Sequence, residues 1–243
     1  MTRYCVQASW EDVPHLTTQQ RSEMLSALQP YERDARSRGI PMLGAGRIYP
    51  VPEEVILVEP FEIPSYWPRA YGLDVGWNRT ACVWGAWDRQ SDTVYLYSEH
   101  YMGEAPPVVH AQAIKDRGEW IPGAIDPASA GAGQLDGRRL SDEYQELGLD
   151  LVYAENVVEA GIRSVYSRLA AGRLKVFRTL PNWLTEYRIY RRDEKGKVVK
   201  ERDHLMDATR YLIMTGMRVA RTEPLEGGER DGLPRGRHGV TGY

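Results

Sequence analysis

The chain has 243 residues, of which 42% are hydrophobic and 27% charged, and its formal net charge is −3. These values are ordinary for a globular protein, and the net charge by itself does not indicate a nucleic-acid-binding protein. No apolar run approaches the ~20 residues of a membrane span, and Cys5 and Cys82 lie far apart without CxxC spacing, which argues against a disulfide framework or zinc site and favours a reducing cytosol.

Residues 1–68 have the composition of a linker segment. One helix is predicted to begin at Thr17 or Thr18 and to end near Leu28, just before a proline. The later stretch GIPMLGAGRIYPVPEEV is rich in glycine and proline, which excludes a regular helix. We therefore predict that the first compact domain begins near residue 69.

From residue 69 onward the pattern predicts an α/β domain. Three strands joined by short, turn-rich segments should form an antiparallel meander. In chain order the predicted elements are strands at 71–75, 81–87 and 94–101, a helix at 108–117, a strand at 123–126, a helix at 137–147, a strand at 151–153, a helix at 157–171, a hairpin at 186–200 and a helix at 203–217. This order predicts a ribonuclease-H-like mixed β-sheet flanked by helices on both faces. We assign the domain to 69–221 and a flexible tail, rich in glycine, proline and charge, to 222–243.

Two aspartates lie where a predicted strand gives way to a loop. Asp74 lies at the end of the strand-like run AYGLDVG, and Asp126 ends a second one, WIPGAID. If the two strands are parallel neighbours, both carboxylates lie at the edge where open α/β sheets place their active sites. Each aspartate also has a structural alternative, because Asp74 suits a turn and Asp126, before Pro127, suits the N-cap of a helix.

A third aspartate, Asp207, lies in the helical run DHLMDATRYLIM. Asp203 is the natural N-cap of this helix, and His204 shares a helix face with Asp207, one turn away. We predict that Asp207 is a metal ligand and that His204 either contacts one metal ion or supports a ligand. The alternative for His204 is packing against the sheet.

Three aspartates and a histidine form a donor set for hard divalent cations. Mg²⁺ and Mn²⁺ prefer oxygen ligands, and two such ions about 3.5–4 Å apart can activate water and stabilise the leaving group in phosphodiester hydrolysis. The sequence therefore predicts that Asp74, Asp126 and Asp207 are catalytic metal ligands, with His204 as an additional ligand in a two-metal site.

A cationic segment precedes the last predicted helix. Between residues 188 and 202 basic residues outnumber acidic ones in a chain that is acidic overall, and such a distribution is typical of enzymes that act on polyanions. A solvated surface hairpin is the alternative. The predicted DNA-binding residues are Arg188, Arg191, Arg192, Lys195, Lys197 and Lys200.

Together these motifs resemble the nuclease domain of the large terminase subunit of tailed bacteriophages. The resemblance is carried by YGLDVGW, IPGAIDPAS, GRLKVF and EYRIYRRDEKGKVVKERDHLMDATRY, in that order, and it covers roughly residues 8–217. The segments SWEDVPHL and ARSRGIPMLGAGRIYPV resemble the part that joins the packaging ATPase to the nuclease. The resemblance implies a ribonuclease-H-like, metal-dependent endonuclease that cuts concatemeric viral double-stranded DNA, with Asp74, Asp126 and Asp207 as its acids.

The resemblance also implies partners and a location. The expected partners are double-stranded DNA and, for the full-length protein, the terminase small subunit and the portal or procapsid. The expected location is the cytoplasm of the host cell, and no membrane partner is expected. No GxxxxGK[ST] loop occurs in this chain. We therefore expect a fragment that corresponds to the nuclease half, which cannot drive translocation alone.

Other protein classes remain open from the residues themselves. Asp74, Gly76 and Thr80 match the D-x-G-x-x-x-T hairpin of actin-like sugar kinases and ATPases, although the chain is short for their two domains. A non-catalytic DNA-docking domain is a second alternative, and a resolvase or transposase of the same fold is a third. Cleavage of supercoiled plasmid with Mn²⁺ or Mg²⁺ separates the nuclease from the docking domain.

Overall fold

The computed structural model describes residues 9–27, 37, 46–131, 139–193 and 195–224. Within these residues, seven strands form one mixed sheet. The strands are β1 (Leu57–Val58), β2 (Arg69–Asp74), β3 (Thr80–Asp88), β4 (Thr93–Met102), β5 (Gly123–Ile125), β6 (Leu151–Tyr153) and β7 (Leu174–Phe177). Their order across the sheet is β1-β7-β4-β3-β2-β5-β6. The predicted antiparallel meander of β2, β3 and β4 is confirmed, and the other neighbours pair in parallel.

Helices cover both faces of this sheet, as predicted. They are α1 (Thr18–Ala27), α2 (Glu53–Ile56), α3 (Pro107–Lys115), α4 (Leu140–Glu146), α5 (Val158–Ala170), α6 (Pro181–Ile189), α7 (His204–Tyr211) and α8 (Met217–Val219), with a π-helical turn at Leu212–Gly216 between the last two. The apolar sides of α5, α6 and α7 pack on one face of the sheet, and those of α3 and α4 pack on the other. In the part of the chain that the structure describes, no helix has the length and apolar character needed to traverse a bilayer.

The central strands are buried on both sides because their side chains alternate between two cores. In β2, Ala70 faces the core under α5, α6 and α7, whereas Tyr71 faces α3 and α4. In β3, Val83 faces the first of these cores and Trp84 faces the second. Burial on both faces explains why these strands read as nearly continuous apolar runs in the sequence.

The helix α7 lies directly on β2 at Gly72. A Cβ atom at Gly72 would lie 1.9 Å from the backbone oxygen of Ala208 and 2.8 Å from the backbone nitrogen of Leu212. A side chain at this position would therefore push the helix away from the strand. The glycine allows a backbone-to-backbone approach, and this contact brings the helix that carries Asp207 to the strand that ends at Asp74.

The predicted hairpin at 186–200 is wrong in its first four residues. Residues 186–189 belong to α6, because Trp183, Leu184 and Tyr187 form a buried apolar face at helical spacing. The remaining hairpin has a bridge between Arg192 and Val198, and the backbone nitrogen of Val199 donates to the carbonyl oxygen of Arg191 at 3.0 Å.

Two strands at one edge of the sheet were not predicted. The strand β7 pairs in parallel with β4, and β1 pairs in parallel with β7. Both are short runs of two to four residues, and such runs cannot be distinguished from loop or helix by periodicity alone. Their strand conformation depends on pairing with partners that are distant in sequence.

Part of the segment predicted as a linker contributes to the core. Ile48, Tyr49 and Ile56 are 0–2% exposed and pack in the cluster formed with α6 and α7. The helix predicted from Thr17 or Thr18 is confirmed as α1, although its predicted end at Leu28 lies outside the described residues. Of the predicted tail, only residues 222–224 are described.

Candidate metal centre

The parallel strands β2 and β5 place Asp74 and Asp126 at neighbouring strand ends. Leu73 is in register with Ile125, and the backbone nitrogen of Asp126 donates to the carbonyl oxygen of Leu73 at 2.9 Å. The predicted parallel pairing is therefore confirmed. Asp126 also caps the following 3-10 turn, because its Oδ1 accepts a hydrogen bond from the backbone nitrogen of Ala128 at 3.0 Å. The capping contact and the position at the sheet edge thus coexist in one residue.

The start of α7 is capped by a carboxylate from α6. Asp203 occupies the predicted N-cap position, but its side chain makes no capping hydrogen bond. Instead, Oε2 of Glu186 accepts hydrogen bonds from the backbone nitrogens of Leu205 (2.6 Å) and Met206 (3.4 Å). Glu186 is 1% exposed, and burial raises the pKa of its carboxyl group. The contact satisfies helix N–H groups that would otherwise lack partners.

The start of α6 is also capped by a carboxylate from another element. Glu99 of β4 accepts hydrogen bonds from the backbone nitrogens of Asn182 (3.0 Å) and Trp183 (2.8 Å), at the start of α6. Helix N-termini favour negative charge. Two carboxylates therefore link β4 to α6 and α6 to α7, so that the position of α7 depends on contacts between distant parts of the chain.

His204 joins α7 to the end of β2. Its Nδ1 lies 2.8 Å from Oδ2 of Asp74. This hydrogen bond raises the pKa of His204, against the effect of burial. Burial raises the pKa of Asp74 against the same hydrogen bond, and the carboxylates of Asp207 and Asp126 raise it further. His204 therefore does more than pack against the sheet, because it contacts a candidate ligand directly.

Both carboxylate oxygens of Asp207 contact cationic side chains. Nη2 of Arg210 lies 2.7 Å from Oδ1, and Nζ of Lys200 lies 2.9 Å from Oδ2. Lys200 also lies 3.0 Å from Oδ2 of Asp203. The carboxylate of Asp207 raises the pKa of Arg210 although burial opposes this shift. Asp207 is thus a buried, fully ion-paired carboxylate.

The three predicted acids act on one buried tyrosine. Tyr211, at the end of α7, is 2% exposed. Burial raises the pKa of its hydroxyl group, and the charges of Asp126, Asp207 and Asp74 raise it further. The carboxylates from β2, β5 and α7 therefore contribute to the electrostatic potential at one position beside the strand ends.

The residue types suit a hard divalent cation, because carboxylate oxygens and an imidazole are suitable ligands for Mg²⁺ or Mn²⁺. The side chains do not form a complete ligand cluster. Across residues 9–27, 37, 46–131, 139–193 and 195–224, no group of three or more His, Cys, Asp or Glu side chains is placed to hold a metal ion. Asp74 contacts His204, whereas Asp207 contacts Lys200 and Arg210. The third predicted carboxylate therefore has both of its oxygens in contact with cationic side chains of this chain.

Comparison with known proteins identifies the family. The sequence profile of the terminase RNaseH-like domain matches residues 71–215. This chain belongs to the terminase RNaseH-like domain family. It is 34% identical over 217 residues to the large terminase subunit of Enterobacteria phage LP7, and the match covers 85% of this chain and 45% of that protein.

Solved structures of terminases have the same fold. The nuclease domain of the P22 large terminase is 34% identical, with a TM-score of 0.67, and the match covers 72% of this chain and 94% of that one. The large terminase of a thermophilic bacteriophage is 21% identical, with a TM-score of 0.64, over 84% of this chain and 54% of that one. The predicted ribonuclease-H-like fold and the predicted family are confirmed. This terminase domain spans less than half the length of the curated relatives it matches.

Most of the predicted DNA-binding residues of this terminase domain are engaged in ion pairs. The pairs are Arg188 with Glu53, Arg191 with Glu201, Arg192 with Glu159, and Lys200 with Asp203 and Asp207. Lys195 and Lys197 are exposed, and their ammonium groups have no carboxylate partner among the described residues. The cationic character of the segment is therefore strongest at these two lysines.

Sequence reasoning missed the contacts that position α7 in this terminase domain. Arg210 had a local signal, because Asp207 and Arg210 are three residues apart on one helix. Glu186 had none, since it is 19 residues from Leu205 and on a different helix. The pairing of Lys200 with Asp207 was also missed, because all basic residues of the segment were assigned to DNA.

Proposed function

We propose that this terminase domain is a divalent-metal-dependent endonuclease that hydrolyses phosphodiester bonds of concatemeric viral double-stranded DNA during genome packaging. The junction of β2 and α7 carries the proposal, because there Asp74 contacts His204 beside the end of β5. Membership of the terminase RNaseH-like family and similarity to the P22 nuclease domain support this reaction class.

We assign Asp74, Asp126 and Asp207 as the catalytic ligands of two Mg²⁺ or Mn²⁺ ions. Such ions, when bound, activate the attacking water and neutralise charge on the leaving oxygen. His204 orients the carboxylate of Asp74 through their 2.8 Å hydrogen bond and is itself a candidate ligand. Arg210 holds Oδ1 of Asp207 and leaves Oδ2 for exchange between cations.

We extend the proposal to the whole protein. Residues 1–68 would connect the nuclease domain, 69–221, to the end of a packaging ATPase domain, and 222–243 would form a tail. The full-length protein would act with the terminase small subunit and the portal or procapsid in the host cytoplasm, with the segment 188–200 facing DNA phosphates. The match covers less than half of the length of each curated relative, which supports a further domain in the full-length protein.

A DNA-docking domain without nuclease activity is the second candidate. It is favoured by Asp207, whose two oxygens already contact Lys200 and Arg210. The actin-like kinase alternative is not supported, because the family is that of terminases. In this structure Thr80 donates a hydrogen bond to the carbonyl oxygen of Gly76 at 3.2 Å, which closes the turn after β2.

Cleavage of supercoiled plasmid with Mn²⁺ or Mg²⁺ tests the proposal. Asp74→Ala, Asp126→Ala and Asp207→Ala should each reduce cleavage by more than about 100-fold, since loss of a residue that only supports a ligand typically costs 10- to 100-fold. His204→Ala should reduce cleavage by only about 10- to 100-fold, because the carboxylate of Asp74 remains in place. Circular dichroism should show that all four variants retain the fold.

The control is Asp116→Ala, which removes an exposed carboxylate after α3, on the other face of the sheet. It should cut at the wild-type rate. Wild-type cleavage by two of the three Ala variants at 74, 126 and 207 would contradict the assignment. A wild-type protein that binds DNA but cuts with neither metal would favour the docking role.

A further inference from the structure

One lysine neutralises two buried carboxylates at the candidate metal centre. Nζ of Lys200 lies 3.0 Å from Oδ2 of Asp203 and 2.9 Å from Oδ2 of Asp207. Asp203 and Asp207 are 6% and 8% exposed. The ammonium group therefore lies between two acids, one at the start of α7 and one a turn further along.

Several carboxylates lie close together at the start of α7. Asp74, Asp203 and Glu186 all act electrostatically on His204, and Asp207 acts on Asp74. Buried like charges repel each other unless they are paired or protonated. A positive group between two of these carboxylates offsets their repulsion, and the ammonium group of Lys200 lies at that place between Asp203 and Asp207.

The two cations on Asp207 differ in their freedom to leave. The side chain of Arg210 is 1% exposed, and it lies on α7 itself, three residues from Asp207. Its Nε and Nη2 both contact Oδ1. The side chain of Lys200 is 59% exposed and lies outside regular secondary structure. Displacing Lys200 exposes a flexible lysine to water, whereas displacing Arg210 would leave a buried guanidinium without its carboxylate.

We propose that Lys200 is the resident cation of this centre and competes with the divalent metal ion for Oδ2 of Asp207. The inference rests on the proposed function, because it concerns how the same site is loaded. Because both are cations, a metal ion at this oxygen and the ammonium group beside it would repel each other. Loading is therefore expected to move Lys200 out to the solvent side of the centre. Part of the free energy of metal binding is then used to break the lysine contacts, and the apparent metal affinity is lower as a result.

Calorimetric titration of the full chain with MnCl₂, in the absence of DNA, tests this competition. Lys200→Met keeps the length and apolar part of the side chain and removes the charge. It should bind Mn²⁺ about fivefold more tightly than wild type, equivalent to about 1 kcal/mol. Lys200→Arg keeps the charge and should show no increase in affinity.

The matched control is Lys197→Met. It removes the same charge from the same segment, at an exposed position without a carboxylate partner among the described residues. Its Mn²⁺ affinity should stay within twofold of wild type, which shows that a general decrease in positive charge does not explain the effect. Equal gains in Lys200→Met and Lys197→Met would overturn the proposal, because the competition would then not be specific to the contact with Asp207.

Asp126→Asn separates failure of the inference from failure of the proposed function. If Mn²⁺ binding is lost in Asp126→Asn but is equal or weaker in Lys200→Met, the metal site exists and Lys200 does not compete for it. If Mn²⁺ binding is insensitive to Asp126→Asn in every background, the proposed metal centre itself fails, and the inference fails with it.

Discussion

The two halves of the candidate centre are positioned by different kinds of contact. On the sheet side, Asp74 and Asp126 lie at the ends of β2 and β5, and the register between Leu73 and Ile125 sets their relative position. On the helix side, α7 is positioned by contacts that cross the chain. The sheet half therefore has its position set by backbone pairing, whereas the helix half depends on a few side chains and one glycine.

This difference indicates where a regulated step can occur. Backbone pairing inside a seven-stranded sheet does not change when one side chain moves. Asp207 has its two oxygens shared between Arg210 and Lys200, and one of these partners is largely exposed. Metal loading is thus expected to rearrange the helix half and to leave the sheet half as it is.

Substitution of Gly72 should break the junction between the halves most severely. A Cβ atom there would lie 1.9 Å from the backbone oxygen of Ala208, so that Gly72→Ala forces α7 away from β2. We expect the free energy of unfolding, measured by urea denaturation, to fall by about 3 kcal/mol or more. Gly131→Ala is the control, because a Cβ at this exposed position would lie 3.3 Å from the nearest atom, and it should cost less than about 1 kcal/mol. Similar values for the two variants would show that α7 does not rest on the backbone of β2.

Removal of the cap from α6 should weaken the helix half selectively. Glu186→Ala leaves the backbone N–H groups of Leu205 and Met206 without their acceptor, which should cost about 2 kcal/mol. Glu186→Gln keeps an oxygen acceptor and should cost about half as much. Mn²⁺ affinity, measured by calorimetry, should fall in parallel because His204 and Asp207 lie on the same helix.

Glu119→Ala is the control for this cap, since Glu119 is an exposed carboxylate on the other side of the sheet, after α3. Its unfolding free energy should stay within about 0.5 kcal/mol of wild type. If Glu186→Ala were as stable as Glu119→Ala, the capping contact would not contribute to the position of α7.

A buried histidine pair between β4 and α3 makes the fold sensitive to acid. Nε2 of His100, in β4, lies 2.9 Å from Nδ1 of His110, in α3. Burial lowers the pKa of His100 to about 4, with further contributions from the charges of His110 and Arg117. An unfolded histidine has a pKa of about 6.5, so the unfolded state binds more protons between pH 6.5 and 4. The contribution of neutral His100 to stability is therefore fully present above pH 6.5, and the free energy of unfolding should fall by about 3 kcal/mol as the pH decreases to 4.

Urea denaturation at several pH values measures this slope. The double variant His100→Gln/His110→Gln lacks both imidazoles. Its free energy of unfolding should therefore depend less steeply on pH between 6.5 and 4. His15→Gln, at an exposed position, should keep the wild-type slope. A wild-type profile in the double variant would show that other groups cause the loss of stability in acid.

The sheet half could be predicted from the sequence because its signals are local. Alternating and continuous apolar runs mark β2, β3, β4 and β5; Asp74 ends β2, and Asp126 directly follows β5. The parallel pairing of β2 and β5 then follows from the order of strands and helices. Residues Asp74 and Asp126 are thus placed together by rules that need only the sequence.

The helix half could be predicted only in part. The helical spacing identified α7 and put His204 and Asp207 on one face. The N-cap position of Asp203 could be predicted from its local pattern, whereas the side-chain contact that caps the helix comes from Glu186 on another helix. Lys200 was assigned to DNA, because the sequence shows a cluster of positive charge but not which acid each cation meets. Contacts between side chains of distant elements are not encoded in a local pattern.

Anomalous diffraction from crystals soaked in MnCl₂ tests the central claim most directly. The account predicts an anomalous peak within about 2.0–2.6 Å, the range of divalent cations with oxygen ligands, of oxygens of Asp74, Asp126 and Asp207, with Nζ of Lys200 displaced from Oδ2 of Asp207. Manganese bound only elsewhere, or no peak between these strand ends and α7 at saturating concentration, would contradict it.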